Sequence, residues 1–275
     1  MAAPAQRCAV LGSPIAHSLS PVLHRAAYRE LGLDWTYDAI EVDEAGLAGF
    51  VEGLDGAWRG LSLTMPLKRT VMGLLDEVDA WASLSGAANT VVLGEGRRLG
   101  YNTDIPGAKA ALTERSSGPW TDAVVLGGGA TAASVLLALT DLGCHRARLL
   151  VREPARAHET LAAVARHGRG LEVTVGVLGE RASGDVLVST IPADAQPPLV
   201  PLVEAPVVFE VVYDPWPTPL ARAARARKAA MVTGLDLLVH QAALQVTLMT
   251  GRPGPLPAMR QAGEDALGSR GGGTA

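Results

Sequence analysis

Short apolar runs and longer stretches of helical spacing take turns along the whole chain. Residues 7–11 form an apolar run. Residues 21–33 set Val22, Leu23, Ala26, Ala27 and Leu31 at helical spacing, with Gly32 placed to close the element. Residues 35–42 read as a strand, 43–54 as a helix, 59–64 as a strand that runs into Pro66, and 66–75 as a helix with proline in its first turn. Residues 88–93 and 98–101 predict the strands of a small hairpin around Gly94 and Gly96. The second half repeats the theme. A strand at 123–126 meets a glycine run, and a helix over 130–142 ends at Gly143. Further strands are predicted at 147–151, 173–177, 186–189 and 207–212, with helices at 154–167 and 236–249. Such alternation predicts parallel sheets covered by helices, an α/β fold.

The pattern divides near residues 104–107, just before a helix that leads to the glycine-rich strand. It predicts one domain over 1–105, to which 236–268 return because they have no sheet of their own. A second domain spans 106–235, and 269–275 form a glycine-rich tail predicted to be disordered. A length of 275 residues suits two medium domains with real cores. The formal charge of -4 gives no reason to expect nucleic acid or an anionic membrane as partner. Cys8 and Cys144 have no metal-ligand spacing and make no disulfide framework, so they read as buried thiols in a reducing cytoplasm. No apolar run approaches the ~20 residues of a membrane span, and the first residues lack the apolar core of a signal peptide. Lys68, Lys109 and Lys228 are the only lysines. A lysine can yield its proton near neutral pH where an arginine cannot.

Candidate chemistry begins at the glycine run. Val124-Val125-Leu126 passes directly into Gly127-Gly128-Gly129, and Ala130-Thr131-Ala132-Ala133 opens the next helix. Glycines in that position let a pyrophosphate sit on free N–H groups at the positive helix end. Gly127, Gly129 and Ala132 meet the dinucleotide spacing, whose last position admits alanine. A plain strand-to-helix turn is the competing explanation; two well-formed flanking elements favour the site. The run Gly12-Ser13-Pro14-Ile15-Ala16-His17-Ser18-Leu19-Ser20-Pro21 has the same placement. Ser20 before Pro21 reads as an N-cap followed by proline at N1. Ser18 and Ser20 also put two hydroxyls beside a positive helix end, which suits a carboxylate, and periodicity does not choose between the two readings. In Leu63-Thr64-Met65-Pro66-Leu67-Lys68 a cation stands in a first helical turn, against the dipole, and so asks for a reason beyond solvation. Asn89 and the run Asn102-Thr103-Asp104 lie at strand ends, where turn formers are ordinary, and Gln241 stands on a mostly apolar helix.

Taken together, in this order and spacing, these motifs resemble those of the shikimate dehydrogenase family from about residue 7 to about residue 251. The stretch Tyr213-Asp214-Pro215-Trp216-Pro217-Thr218-Pro219-Leu220 resembles actinobacterial members in particular. The resemblance implies an N-terminal substrate domain and a Rossmann-type, doubly wound NADP-binding domain. It implies reversible NADPH-linked reduction of 3-dehydroshikimate to shikimate, in aromatic amino acid biosynthesis, by a monomer or homodimer. Ser18 and Ser20 would hold the substrate carboxylate, and Thr64, Asn89, Asp104 and Gln241 the ring hydroxyls. Lys68 would pair with Asp104 at the reacting oxygen, as general acid in reduction and general base in oxidation. Tyr213 would lie near substrate and nicotinamide, Gly234 near the carboxamide, and residues Gly127, Gly128, Gly129, Ala130 and Thr131 around the pyrophosphate. Two positions depart from the family: Ser62 stands where many members have asparagine, and Val151-Arg152-Glu153 where Asn-Arg-Thr is usual. A quinate or aminoshikimate dehydrogenase, and a non-catalytic ligand sensor on the same fold, are the alternatives. A sensor would need neither Lys68 nor the glycine loop.

The end of the second cofactor-domain strand decides which dinucleotide is used. An acidic residue there binds the ribose 2′-OH of NAD, and an arginine accommodates the 2′-phosphate of NADP. Residues 151–156 hold Arg152, Glu153 and Arg156. Two arginines able to face one phosphate outweigh one acid, so NADP is the expected cofactor, with NAD as a weaker alternative. Pro154 can start a helix there and leave Glu153 as a mere cap.

Overall fold

A computed structural model describes residues 5–118 and 120–271. The chain divides into two compact units: one runs to Thr103 and resumes at Leu238, the other spans Asp104–Leu237.

The first unit contains β1 (Arg7–Gly12), α1 (Ser20–Glu30), β2 (Thr36–Glu41), α2 (Leu47–Glu52), β3 (Trp58–Leu63), α3 (Leu67–Thr70), β4 (Glu77–Val78), α4 (Ala80–Ser85), β5 (Thr90–Gly94) and β6 (Arg97–Tyr101). They form a six-stranded sheet in the order β2-β1-β3-β5-β6-β4. β1 is buried along nearly its whole length and pairs in parallel with β2 and β3. A strand covered on both faces has no use for polar alternation, which explains its unbroken apolar run. β2 is an edge strand and shows the alternation that β1 lacks. Direction reverses at β5, which runs antiparallel to β3 and to β6. The end of β3 therefore lies beside the start of β5 and the end of β6, with Ser62 opposite Thr90 and Thr90 opposite Tyr101. Leu11, Leu47, Leu61, Leu63, Leu67 and Val91 form the core on one face.

The second unit contains α5 (Asp104–Arg115), β7 (Asp122–Leu126), α6 (Ala130–Asp141), β8 (Arg146–Val151), α7 (His158–His167), β9 (Glu172–Val177), β10 (Ala182–Ser183), β11 (Val186–Ser189), β12 (Val203–Glu204), β13 (Val207–Glu210), α8 (Pro219–Ala226) and β14 (Ala230–Thr233). Its main sheet has the order β14-β13-β11-β7-β8-β9, and all its pairings are parallel. Counted from β7, that is the doubly wound order 3-2-1-4-5-6, whose strand order reverses between β7 and β11. A pair of short strands, β10 and β12, forms a separate sheet. The chain closes with α9 (Gly234–Thr250) and α10 (Leu256–Gly271), and α10 packs on α1.

Two expectations from the pattern need correction. The helix expected over 66–75 is only α3, followed by a 3-10 turn at Val71–Leu74. The apolar residues that suggested a longer helix, Leu67 and Val71, point into the sheet core instead. Residues 269–271 are helical, because α10 runs on through them, and residues 272–275 of the expected tail lie outside the described residues. No described helix is long and apolar enough to cross a membrane.

One glycine sets how closely β1 and β3 deliver their loops. A Cβ on Gly12 would lie 2.4 Å from Thr64 Cγ2 and 2.9 Å from the Met65 carbonyl oxygen. The Ser13 N–H donates to that same carbonyl at 3.0 Å, and Thr64 N–H donates to the Leu11 carbonyl at 2.9 Å. Gly12→Ala should therefore push the two loops apart and cost ~1–3 kcal/mol, as overpacking does. Urea denaturation checks this, and a variant as stable as the parent would show that the loops have slack.

Candidate active site

The close approach at Gly12 gathers side chains at one end of the first unit's sheet. Ser18 comes from the loop after β1 and Ser20 from the start of α1, Thr64 and Lys68 from the loop and short helix after β3. Asn89 precedes β5, and Asn102 and Thr103 follow β6. The backbone ties them: Leu63 N–H donates to the Asn89 carbonyl at 2.8 Å, Ala88 N–H to the Lys68 carbonyl at 2.8 Å, and Asn89 N–H to the Tyr101 carbonyl at 3.0 Å.

Ser20 is buried, at 5 % exposure, and Ser18 is half-buried. Ser20 is not the N-cap its place before Pro21 suggests. It is the first helical residue, and Leu19 holds the cap position without a side-chain bond. The Ser18 Oγ accepts the Ser20 N–H at 3.3 Å, so the local capping is done two residues earlier. Lys68 is half-buried in a helix of four residues. So short a helix has little dipole, and the dipole argument for Lys68 loses its force.

A line of buried polar groups runs through this unit. The Tyr37 hydroxyl donates to Ser62 Oγ at 2.6 Å, and Ser62 donates to Gln245 Oε1 at 2.9 Å. The Gln245 amide donates to the Asn89 carbonyl at 3.2 Å and to Thr90 Oγ1 at 3.0 Å. Thr90 donates to Asn89 Oδ1 at 2.9 Å, and that oxygen also accepts the Thr103 N–H at 2.8 Å. The Asn89 amide then donates to Thr103 Oγ1 at 2.9 Å and to Gln241 Oε1 at 3.2 Å. Gln241 turns its own amide to the Leu238 carbonyl at 2.9 Å. Asn102 fixes the neighbouring turn by donating to Ser85 Oγ at 2.9 Å and the Ala87 carbonyl at 3.0 Å. Buried polar groups are retained when satisfied in this way.

Of the residues singled out by sequence, Asn89 and Gln241 are thus brought into contact, and Thr64 and Lys68 are carried by the same sheet end. Asp104 is buried and is the first residue of α5, one position after Thr103. Tyr37 and Gln245 escaped sequence reasoning, while Thr90 and Thr103 were read only as neighbours in the strand-end runs of Asn89 and Asp104. The spacing of Gln245 four residues after Gln241 on an apolar helix was a usable signal, since such pairs share a helix face. Tyr37 gave none, because an aromatic residue in a strand is ordinary core. Burial pushes the thiols of Cys8 and Cys144 up to about 11, so both are inert.

In the second unit the glycine run divides its labour. Gly127 has φ +103, a left-handed conformation, and a Cβ there would meet Thr190 Oγ1 at 2.4 Å. A Cβ on Gly128 would lie 2.8 Å from the Arg156 carbonyl oxygen, so this glycine admits the turn after β8. Gly129 has nothing within 4 Å of its Cβ position and caps α6 in extended conformation. Open space over a helix start, with the first-turn N–H groups of Ala130 and Thr131, fits a diphosphate. Arg152, Glu153 and Arg156 are exposed on that turn. The helix expected from Pro154 is a 3-10 turn at Pro154–Ala157 before α7 begins at His158. Gly234 starts α9, where a Cβ would lie 2.1 Å from the Val211 carbonyl oxygen, so packing alone demands glycine. Tyr213 is half-buried in the loop after β13. The buried Glu210 anchors both ends of that loop. It accepts from Val212 N–H at 3.1 Å, Thr218 Oγ1 at 2.8 Å and Gln196 Nε2 at 2.9 Å. Burial raises its carboxyl above the usual range, and these donors oppose that.

Two family models match the sequence: the shikimate dehydrogenase substrate binding domain over residues 10–91 and the shikimate 5'-dehydrogenase C-terminal domain over residues 234–262. The NADP(+) shikimate dehydrogenase of Moorella thermoacetica is 36% identical over 283 residues, covering 97% of this chain and 95% of its own. The crystal structure of Mycobacterium tuberculosis shikimate dehydrogenase superposes with a TM-score of 0.86 at 40% identity, over 94% of this chain and 99% of that one. The Thermus thermophilus shikimate 5-dehydrogenase, solved with NADP(H) and shikimate, gives a TM-score of 0.80 at 34% identity, over 95% and 99%.

Beside the site, His24 is fully buried, stacked on Tyr37 with ring centroids 3.9 Å apart, and its Nδ1 bonds the Ser20 carbonyl at 2.9 Å. Burial lowers its pKa to about 4 from the ordinary ~6.5 of imidazole. Between those values the unfolded chain takes up a proton that the folded chain refuses, so stability falls as pH drops through this window. Denaturant titrations at pH 7 and pH 4.5 should show a smaller loss for His24→Phe than for the parent. An equal loss in both would remove His24 as the cause.

Proposed function

The chain belongs to the shikimate dehydrogenase family, and we propose on that footing that it interconverts shikimate and 3-dehydroshikimate with NADP(H) as hydride carrier. The observation that carries the proposal is the buried Asn89–Thr103–Gln241 cluster, held at the same sheet end as Thr64 and Lys68. A set of fixed, uncharged donors and acceptors next to one lysine is suited to a polyhydroxylated ring. It discriminates strongly against analogues that leave its members unpaired.

In this reading the first unit binds substrate and the second binds cofactor. Ser18 and Ser20 hold the carboxylate, and Thr64, Asn89 and Gln241 hold the ring hydroxyls. Lys68 gives a proton to the 3-keto oxygen in reduction and takes it back in oxidation, and Asp104 steadies the charged lysine and orients the hydroxyl. NADPH, when bound, supplies the hydride. Gly127 to Thr131 would hold its diphosphate, Arg152 and Arg156 its 2′-phosphate, and Tyr213 and Gly234 would border the nicotinamide. The open space over Gly129 and the two exposed arginines support that assignment. Buried, inert thiols support a place in the reducing cytoplasm.

Two measurements test the proposal. Lys68→Ala should lower kcat for shikimate oxidation by ~100-fold or more, because positioned acid–base groups contribute ~10²–10⁴, while shikimate affinity changes far less. A variant with near-full kcat removes Lys68 from proton transfer. Absorbance at 340 nm, with shikimate, quinate and aminoshikimate crossed against NADP and NAD, reads both substrate and cofactor. Arg152→Ala should raise the KM for NADP by ~10-fold, the worth of a charge-assisted bond, and leave that for NAD nearly unchanged. Equal losses with both cofactors would show that Arg152 does not read the 2′-phosphate.

A further inference from the structure

Thr90 is fully buried at the start of β5, so its hydroxyl depends on the protein for partners. The direction of its bonds is set by a neighbouring backbone group. The Asn89 carbonyl can only accept, so the Gln245 side-chain atom 3.2 Å from it is the amide nitrogen. That nitrogen also donates to Thr90 Oγ1 at 3.0 Å, while Gln245 Oε1 accepts from Ser62 at 2.9 Å. With an N–H against its oxygen, the Thr90 hydroxyl turns its own proton to Asn89 Oδ1 at 2.9 Å. A second donor reaches the same oxygen, the Thr103 N–H at 2.8 Å. A carbonyl oxygen has two lone pairs, and on Asn89 the protein engages both. What Asn89 keeps for a ligand is its amide N–H, which in the ligand-free protein faces Thr103 Oγ1 at 2.9 Å and Gln241 Oε1 at 3.2 Å.

We infer that Thr90 is a positioning residue of the substrate site: its hydroxyl holds the Asn89 side chain in one orientation and closes the Asn89 oxygen to ligands, so that Asn89 meets a ring hydroxyl as donor only. The inference rests on the reading of Asn89 as a contact of the ring hydroxyls. Ser62 belongs to the same device, because it satisfies Gln245 Oε1 and leaves the Gln245 amide to face Thr90. Thr90 itself touches no ligand and acts through Asn89. Without its hydroxyl, Asn89 Oδ1 loses one of its two donors and the amide is held less firmly. Asn89 grips a hydroxyl rather than the carbon that exchanges hydride, so its grip is much the same in ground and transition states. The loss therefore acts on binding and KM more than on kcat.

The test combines KM and kcat for shikimate, read at 340 nm, with calorimetric titration of shikimate into the enzyme–NADPH complex, which cannot turn over. Thr90→Val keeps the side-chain shape and removes the hydroxyl. It should raise KM and weaken binding by ~3–10-fold, the worth of one neutral hydrogen bond, with kcat changed far less. Thr90→Ser restores the hydroxyl and should return both to within ~2-fold of the parent. In an Asn89→Ala background Thr90→Val should add almost nothing, because the hydroxyl acts through Asn89. Gln245→Met removes the donor that orients Thr90 and should shift KM the same way by ~2–5-fold; it carries the test if Thr90→Val does not fold. An unchanged KM in Thr90→Val, or in Gln245→Met where only that variant folds, overturns the inference. So does a Thr90→Ser as weak as Thr90→Val. An equal effect with and without Asn89 also overturns it, by marking Thr90 as part of the general core. If Asn89→Ala binds shikimate as well as the parent, the reading of Asn89 is wrong and the inference falls with it. That result is separable from the others, in which Asn89→Ala does weaken binding. A parent that neither binds nor oxidises shikimate would overturn the proposed function itself, before any variant is made.

Discussion

The substrate end of the first unit depends on the direction in which one buried line of hydrogen bonds runs. Tyr37 donates to Ser62, Ser62 to Gln245, Gln245 to Thr90, Thr90 to Asn89, and Asn89 to Gln241. Every hydroxyl in the line has one proton, so each donation commits the next group to the role of acceptor. The orientations of three amides, Asn89, Gln241 and Gln245, follow from that order. A reversed amide anywhere along it would bury a donor against a donor, and an unmet buried group costs about 1–3 kcal/mol. The site is therefore shaped by the protein before any ligand arrives.

This line is possible because the sheet reverses at β5. Were β5 parallel to β3, Asn89 would lie at the far end of the sheet from Thr64 and Lys68. With β5 antiparallel, Ser62 stands opposite Thr90 and Thr90 opposite Tyr101, so residues distant in sequence share one end. Gly12 completes the arrangement by letting the loop after β3 approach β1 closely. The second unit uses glycine for three separate reasons: left-handed backbone at Gly127, clearance for Arg156 at Gly128, and open space at Gly129. Only the last of these leaves room for a ligand.

Much of this was legible in the sequence. Unbroken apolar runs at residues 8–11 and 123–126 marked the central strands, since strands buried on both faces carry no polar alternation. The glycine run was readable because a complete strand precedes it and a complete helix follows. What was lost was lost for physical reasons. Residues 66–75 have helical spacing, yet Leu67 and Val71 serve the core from a short helix and a 3-10 turn, and periodicity does not measure helix length. Ser20 looked like an N-cap because Pro21 follows, but the capping oxygen is that of Ser18. Tyr37 and Gln245 meet at Ser62, 25 and 183 residues away from them in sequence, and no local pattern reports contacts of that range. Glu210 gave no signal either, because an acidic residue at a strand end reads as exposed and its burial among Gln196, Val212 and Thr218 shows only in the fold.

Hydrogen exchange of the side-chain amides, followed by NMR in the ligand-free protein, tests the claim of a preformed line most directly. The amide protons of Asn89 and Gln245 should exchange at least ~100-fold more slowly than those of the exposed Gln261, because their release requires opening of a buried cluster, and this protection should be present before shikimate is added. Exchange as fast as that of Gln261, or protection that appears only when shikimate is added, would show that the substrate builds the line and would contradict the account.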